Sequence, residues 1–107
     1  MRRRGRYPHA FLLRMNYEQR ERLWDIAAKW RLGRCAALRR ALLSFDWTAL
    51  GPVPRRGRFP YHFLLTMDRE CRQRLADLAR QHRATKSTIL REAILAAWVG
   101  ADPARPS

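Results

Sequence analysis

Arginine supplies most of the chemistry that this chain could perform. The 107 residues include 23 Lys and Arg against 9 Asp and Glu, which gives a net charge of +14 at pH 7. Only Lys29 and Lys86 are lysines, so nearly all of the positive charge is on guanidinium groups. A guanidinium group stays protonated at physiological pH and binds phosphate oxygens through a bidentate fork. We therefore expect a polyanionic partner, of which nucleic acid is the commonest.

Two short arginine clusters, which we call the arms, have nearly the same sequence. Residues 2–6 read RRRGR, and residues 55–58 read RRGR. Each arm precedes an apolar segment, so it can reach phosphates that flank a bound site, although such tails are often simply flexible. The arm residues predicted to contact phosphate are Arg3, Arg4, Arg6, Arg55, Arg56 and Arg58. Arginines farther along each half are expected to form a solvated face instead; these are Arg20, Arg22, Arg72, Arg74 and Arg80.

No arrangement of residues typical of catalysis occurs in the sequence. The acidic residues are scattered beside arginines, without a carboxylate pair, a Ser-His-Asp set or a phosphate-cradling glycine loop. His9, His62 and His82 lack the spacing of metal ligands. Cys35 and Cys71 form no C-x-x-C pair and are predicted to be reduced thiols, with Cys35 the more reactive beside its arginines. We therefore expect neither an enzyme nor a bound cofactor or metal.

The sequence also argues against a membrane protein. No apolar run approaches the length of about 20 residues that a membrane-spanning helix needs. The basic N-terminus is not followed by the apolar core of a signal peptide. These features predict a cytoplasmic protein, associated with the nucleoid if its polyanion is DNA.

The elements that must position these residues are encoded twice. Residues 6–47 align without a gap on residues 58–99, with the shared motifs FLL-x-M, R-x-R-L-x-D and L-R-x-A-x-L. A linker at 48–57 joins the two repeats, and a short tail at 100–107 follows them. Each half is near the size at which a lone core rarely stabilises a fold. We therefore predict one compact domain over residues 1–107, in which the two halves share a core.

Each half has the pattern of one strand followed by two helices. In the second half, residues 61–67 alternate with the period of a strand that is covered on one face. Asp68 is the expected N-cap of a helix that runs to about His82, and Thr85 is the expected cap of a second helix that runs to about Val99. The covered face of the strand would carry Tyr61, Phe63, Leu65 and Met67.

The first half repeats this plan. We predict a strand over residues 10–15, Asn16 as a cap, a helix to about Trp30, a turn at Gly33 and a second helix to about Trp47. A lone strand cannot satisfy its backbone hydrogen bonds, so the two strands should pair antiparallel. The predicted fold is mainly α (α+β), with four helices on one face of a two-stranded ribbon.

This pattern resembles a known family of DNA-binding proteins. Strand, capped helix, turn and second helix, with the segment TKSTILREAI at residues 85–94, are similar to the ribbon-helix-helix family of the MetJ/Arc type. In that family two subunits form a dimer whose antiparallel ribbon enters the major groove of DNA. The resemblance covers most of each half. It implies that this chain supplies both subunits in tandem, as a single-chain pseudo-dimer.

The resemblance also implies which residues contact DNA. In the family, residues on the ribbon face away from the helices contact bases, and the matching residues are Ala10, Leu12, Arg14, His62, Leu64 and Thr66. Arg14 suits a guanine, while leucine suits a thymine methyl group. The start of the second helix anchors a phosphate in the family through its backbone amides, as the helix dipole favours. The matching residues are Gly33, Arg34 and Cys35 in the first half and Thr85, Lys86 and Ser87 in the second.

The outer ribbon face departs from a symmetric base-contacting surface. Leu12 and Leu64 make it unusually apolar, and the two strands carry different polar groups. We therefore expect either an asymmetric DNA site or a weak sequence preference, with affinity dominated by phosphate contacts. The two leucines could instead be covered by another protein. Trp24 stands where the second half has Ala76 and should face outward, covered by the linker or by another copy.

Three functional hypotheses follow. The first is a transcriptional repressor or regulator that binds double-stranded DNA through its ribbon and blocks the site by occupancy. The second is an architectural, nucleoid-type protein that coats DNA with little specificity. The third is an adaptor or inhibitor that binds a protein partner through Leu12 and Leu64. Self-association of the pseudo-dimers on DNA stays open under the first two hypotheses.

Overall fold

The computed structural model describes residues 7–44 and 58–101. It is a mixed, mainly helical fold with one two-stranded antiparallel sheet and four helices, as the sequence predicts. The elements in chain order are β1 (His9–Met15), α1 (Tyr17–Trp30), α2 (Arg34–Ser44), β2 (Tyr61–Met67), α3 (Arg69–Gln81) and α4 (Lys86–Ala101). The arms, except Arg58, and the linker lie outside the described residues.

The predicted element bounds agree with the structure to within one or two residues. β1 begins at His9 rather than Ala10, and α4 continues to Ala101 rather than ending near Val99. The second helix of the first half is described to Ser44, and the predicted end near Trp47 lies outside the described residues.

The strand sequences separate into an inner and an outer face because side chains alternate along a strand. Leu13 and Met15 of β1 are fully buried against the helices, and Leu65 and Met67 of β2 occupy the matching positions. Alternate residues point to the other side, away from the core. The predicted inner face is confirmed except at the first position of β2, where Tyr61 is 37% exposed.

The register of the ribbon follows the repeat. Leu12 pairs with Leu64, and the repeat alignment places these two leucines at the same position. Arg14 pairs with His62, and Ala10 pairs with Thr66. This is the register that a two-fold axis between the two leucines would produce, because every pair on one side of the centre has its counterpart on the other.

Capping side chains fix where the first helix of each half begins. Asn16 accepts a hydrogen bond from the backbone N–H of Gln19, whose side chain in turn accepts from the backbone N–H of Asn16. Asp68 accepts from the backbone N–H of Cys71 at 2.9 Å. This hydrogen bond favours the ionised carboxylate and lowers the pKa of Asp68. Both predicted caps are confirmed.

One apolar core joins the two halves. α1 of the first half packs most extensively against α4 of the second, and both flank the ribbon. Both halves therefore contribute buried residues to the same core. The buried apolar side chains are Leu13, Met15, Leu23, Ile26, Ala27, Ala37, Leu38, Ala41 and Leu42 in the first half and Leu65, Met67, Cys71, Leu75, Leu78, Ile89, Leu90, Ala93 and Ile94 in the second.

Trp24 does not face outward as the sequence comparison suggests. It is half-buried against the core and meets the ring of Phe63 edge-on, with 6.1 Å between the ring centroids. The guanidinium carbon of Arg34 lies 4.1 Å from the centroid of the Trp24 ring. The substitution of tryptophan for the small Ala76 thus fills space between α1 and the ribbon. The error arose because helical spacing alone does not show how far an indole reaches.

Candidate nucleic-acid interface

The outer face of the ribbon carries the six residues predicted to contact bases. Five of them are exposed: Ala10, Leu12, Arg14, His62 and Leu64. Leu12 is 51% exposed and Leu64 is 55% exposed, and the two residues are paired across the ribbon. The face is therefore open to a partner, with its most apolar part at the centre.

The two ends of this face differ in chemistry. At one end Arg14 lies opposite His62, so two groups that donate hydrogen bonds stand side by side. At the other end Ala10 lies opposite Thr66, which offers one methyl group and one hydroxyl. The ribbon thus has a cationic end, an apolar centre and a small, weakly polar end.

Thr66 is less available than the sequence suggests. Nη1 of Arg39 donates to the Thr66 carbonyl oxygen at 2.7 Å and lies 3.2 Å from the Thr66 hydroxyl oxygen. The hydroxyl can still donate its own proton, but its position is set by Arg39. Thr66 is accordingly only partly exposed.

A matching arginine holds the other end of the ribbon. Nε of Arg91 donates to the carbonyl oxygen of Arg14 at 3.0 Å. The repeat alignment places Arg91 at the position of Arg39 and Arg14 at the position of Thr66. The arginine from the second helix of each half therefore binds the strand of the opposite half at equivalent places.

Each of these two arginines also stacks on an aromatic ring that precedes a strand. The guanidinium carbon of Arg39 lies 3.8 Å from the ring centroid of Tyr7, and that of Arg91 lies 3.8 Å from the ring centroid of Phe59. Such cation–π contacts are worth about 0.5–2 kcal/mol, depending on exposure. They fix the chain just before each strand, where the arm segments join it.

Sequence reasoning missed Arg39 and Arg91, although a signal was present. Both are the arginine of the repeated L-R-x-A-x-L motif. An apolar helix stripe explains the leucines and alanine of that motif but not an arginine kept at the same place in both halves. The repeat alone could therefore have marked these two side chains as candidates for an internal contact.

The start of α2 is open, as a phosphate site would require. Gly33 precedes the helix and has no side chain to cap the first-turn amides. Cys35 donates its thiol to the carbonyl oxygen of Leu64, with 3.4 Å between sulfur and oxygen, and so fastens this helix start to the ribbon. Arg34 is exposed but stacks on Trp24. The predicted phosphate residues of the first half are thus beside the ribbon.

The start of α4 differs because it is capped from within. Thr85 Oγ1 accepts a hydrogen bond from the backbone N–H of Thr88 at 3.1 Å, which satisfies one first-turn amide. Lys86 is exposed and Ser87 is partly buried. The positive end of the helix dipole remains available at this position. The two helix starts are equivalent in the repeat but not in their hydrogen bonding.

The arm arginines Arg3, Arg4, Arg6, Arg55 and Arg56 lie outside the described residues, and Arg58 is exposed two residues before the chain reaches Pro60. Their predicted phosphate contacts remain predictions.

Two arginines of α1 behave differently from Arg14. On α1, Arg20 and Arg22 pair with Glu21 and Glu18 at 3.0 and 3.2 Å. Within the described ranges no carboxylate pairs with the Arg14 side chain. The positive charge of the ribbon is therefore not neutralised locally, whereas much of the charge on α1 is.

The two cysteines are free thiols with different surroundings. Cys71 is buried, and burial raises its pKa to about 12, which keeps it protonated. Cys35 is half-buried at the ribbon. Over residues 7–44 and 58–101, no three His, Cys, Asp or Glu side chains come together as metal ligands would. None of the helices described is both long and apolar enough to cross a bilayer.

Comparison with protein-family models, curated proteins and solved structures gives no match to this chain.

Proposed function

We propose that this protein is a sequence-specific DNA-binding regulator, most simply a transcriptional repressor, built as a tandem ribbon-helix-helix pseudo-dimer. The observation that carries the proposal is the exposed outer face of a two-stranded antiparallel ribbon, backed on its other side by four helices. A two-stranded ribbon fits the major groove of B-DNA, where its outward side chains meet base edges. A net charge of +14 supplies the attraction to the phosphate backbone.

The unlike ends of the ribbon favour an asymmetric DNA site. Arg14, which is unpaired by any described carboxylate, suits the O6 and N7 atoms of a guanine, and His62 beside it offers a further hydrogen bond. The central pair, Leu12 and Leu64, suits thymine methyl groups. We therefore propose a site with guanine at one end and A·T pairs at the centre.

Two flanking contacts would position the ribbon in the groove. The uncapped amides after Gly33 and the start of α4 at Lys86 can each approach a phosphate. Cys35 joins the start of α2 to β2, and Arg91 joins α4 to β1. A phosphate contact at either helix start would therefore set how deeply the ribbon enters the major groove. Phosphate contacts of this kind position the protein, and base contacts give specificity.

Footprinting combined with guanine methylation tests the proposal. A regulator protects one bounded segment of duplex DNA, and methylation of one guanine N7 at a single end of that segment should block binding. Protection spread over all sequences, without interference at any guanine, would contradict it.

An architectural DNA-binding protein is the second candidate, and the apolar centre of the ribbon is the observation that favours it. A face with two leucines at its centre can donate few hydrogen bonds to bases, while the charge binds any duplex. The same footprint separates the two candidates, because a coating protein gives no bounded protection.

An adaptor that binds a protein through Leu12 and Leu64 is the third candidate. Large exposed apolar patches often mark interaction sites, and these two side chains are paired and half-exposed. Copurification of a stoichiometric protein partner, lost in the double variant Leu12→Asp and Leu64→Asp, would support this candidate. Retention of the partner by that variant would rule it out.

A further inference from the structure

A cleft opens in the second half, and none of the six outer residues of the ribbon lines it. It lies between the chain before β2, the α3–α4 turn and the first turns of α4, and its volume is about 560 Å³. Ligand clefts in proteins commonly measure about 300–1,000 Å³. Phe59, Ala79 and Ala84 form an apolar part of its wall. The cleft is therefore large enough, and apolar enough, for a small organic molecule.

Three arginines line the same cleft. They are Arg80, Arg83 and Arg91. Arg80 pairs with Asp77 at 2.7 Å, so Arg83 and Arg91 are the two that no described carboxylate neutralises. Arg91 is partly buried, and burial lowers its pKa because the charge is partly removed from water. An anion in the cleft would offset that cost, and a planar guanidinium can bind it through two parallel hydrogen bonds.

Two threonines add a neutral donor. Thr85 donates its hydroxyl to Thr88 Oγ1 at 2.9 Å, and both side chains line the cleft. The Thr88 hydroxyl then keeps its own proton for an acceptor on a ligand. The start of α4 adds the positive end of a helix dipole. Charge, a hydroxyl donor and an apolar wall thus converge in one place.

The first half does not repeat this arrangement. Ala28 stands at the position of Arg80, and Leu32 stands at the position of Ala84. The described cleft beside Trp24 in that half measures about 420 Å³, and its only lining arginine is Arg34. The cluster of arginines around a cleft is therefore a feature of the second half that the repeat does not impose.

We propose that this cleft binds a small organic anion, namely a phosphate monoester or carboxylate attached to an apolar body. The anionic group lies against Arg83 and Arg91, and the apolar body packs on Phe59 and Ala84. The apolar wall distinguishes such a ligand from a DNA phosphate, which brings no apolar group. The start of α4 is also where a DNA phosphate contact is proposed, so the test includes duplex DNA.

Titration of the full-length protein with phenyl phosphate, followed by amide chemical shifts in NMR spectra, tests the site. The expected result is saturable binding at one site, with the largest shifts at residues 83–88. Inorganic phosphate should bind more weakly because it lacks the apolar body, and benzyl alcohol should not bind because it lacks the charge.

Two variants locate the site. Ala84→Leu fills the cleft without changing any charge, and Leu32 shows that leucine is used at this position in the first half. Arg83→Gln removes one charge. Each should weaken phenyl phosphate binding about tenfold or more. The matched control is Arg31→Gln, because Arg31 and Arg83 share the left-handed conformation, with φ of 56° and 51°.

The Arg31→Gln control and a parallel measurement of duplex DNA binding decide whether the cleft binds a small anion specifically. Equal weakening by Arg31→Gln and Arg83→Gln, or shifts spread over all arginines, would show diffuse electrostatic binding and overturn the site. If phenyl phosphate does not bind while Ala84→Leu weakens duplex DNA binding, the cleft holds a backbone phosphate and the small-ligand proposal is wrong. A dispersed amide spectrum for Ala84→Leu confirms that the variant is folded.

Discussion

Arg14 is the residue on which sequence preference should depend most. It is exposed at the cationic end of the ribbon, and its own carbonyl is held by Arg91, so its backbone position is fixed while its side chain stays available. Loss of a bidentate contact to guanine typically costs about 1–3 kcal/mol in discrimination.

We predict that Arg14→Gln relaxes the preference for guanine at one end of the site by about tenfold, with a smaller loss of affinity for unrelated DNA. The control is Arg72→Gln, which removes the same charge from an exposed position on α3. Competition binding measures the ratio of the affinities for duplexes with and without guanine at that end of the site. If both variants lower affinity for all duplexes equally, Arg14 contacts only phosphate.

Asp68 gives the fold a dependence on pH that can be isolated. Its pKa is lowered in the folded protein by the hydrogen bond from the Cys71 amide, so its contribution to stability is present above its unfolded pKa, about 3.9. That contribution is lost as the pH falls through the lower folded pKa. Asn16 performs the same capping role in the first half without a titratable group.

We therefore predict that Asp68→Asn keeps most of the free energy of unfolding at pH 7. When the pH is lowered from about 5 to about 3, the free energy of unfolding should fall less for this variant than for the parent protein. Asp68→Ala removes the cap and should cost about 1 kcal/mol at pH 7. Urea unfolding at several pH values measures both effects. Identical pH profiles for the parent and Asp68→Asn would contradict this account.

At the scale of elements, most of the fold was predictable because local patterns agree with the final packing. Three kinds of local pattern each had one interpretation: the alternation in β2, the caps Asn16 and Asp68, and the apolar stripes of the helices. The pairing of the strands followed from the repeat. The contacts of Arg39 and Arg91 were missed. The repeated motif marks both arginines, but only the folded chain shows that each joins the second helix of one half to the strand of the other.

These two arginines connect the helices to the ribbon, and they should control its shape. We predict that Arg39→Lys together with Arg91→Lys lowers sequence discrimination more than overall affinity, because lysine keeps the charge but loses the guanidinium fork and the stacking on Tyr7 and Phe59. The free energy of unfolding should fall by about 1–3 kcal/mol for the pair.

The matched control for that variant is Arg40→Lys, which alters a neighbouring exposed arginine that stacks on Trp30 instead. Parallel measurements of unfolding and of binding to matched and unrelated duplexes separate the effects. Unchanged discrimination in the double variant would show that the ribbon needs no support from these side chains.

At the scale of the whole molecule, duplication explains both the fold and its asymmetry. One chain that supplies both strands can differ at equivalent positions, whereas a dimer of identical subunits cannot. Arg14 opposite His62 and Ala10 opposite Thr66 are the consequence at the ribbon. The sequence predicted that the two strands carry different polar groups, and the strand register shows which of them meet at each end. The sequence could not show that Thr66 is partly covered or that Arg80, Arg83 and Arg91 line one cleft, because both depend on side-chain packing.

A shared core predicts that the two halves unfold together. Leu13→Ala in β1 should cost about 2–5 kcal/mol, because this side chain is fully buried between the halves. Leu43→Ala, at a side chain that is 39% exposed, should cost about 0.5 kcal/mol or less. Hydrogen exchange should show that Leu13→Ala lowers the protection of backbone amides in α4 as well as in β1. A loss confined to the first half would mean that the halves are separate folding units.

Selection of bound duplexes from a random pool, at a low and a higher salt concentration, tests the central claim most directly. The account predicts an enriched, non-palindromic motif with guanine at one end and A·T pairs at its centre, and this motif should persist at the higher salt concentration because base contacts release few counterions. Binding without enrichment that is lost steeply with salt would identify an architectural protein instead. No binding at either concentration would contradict a role on DNA.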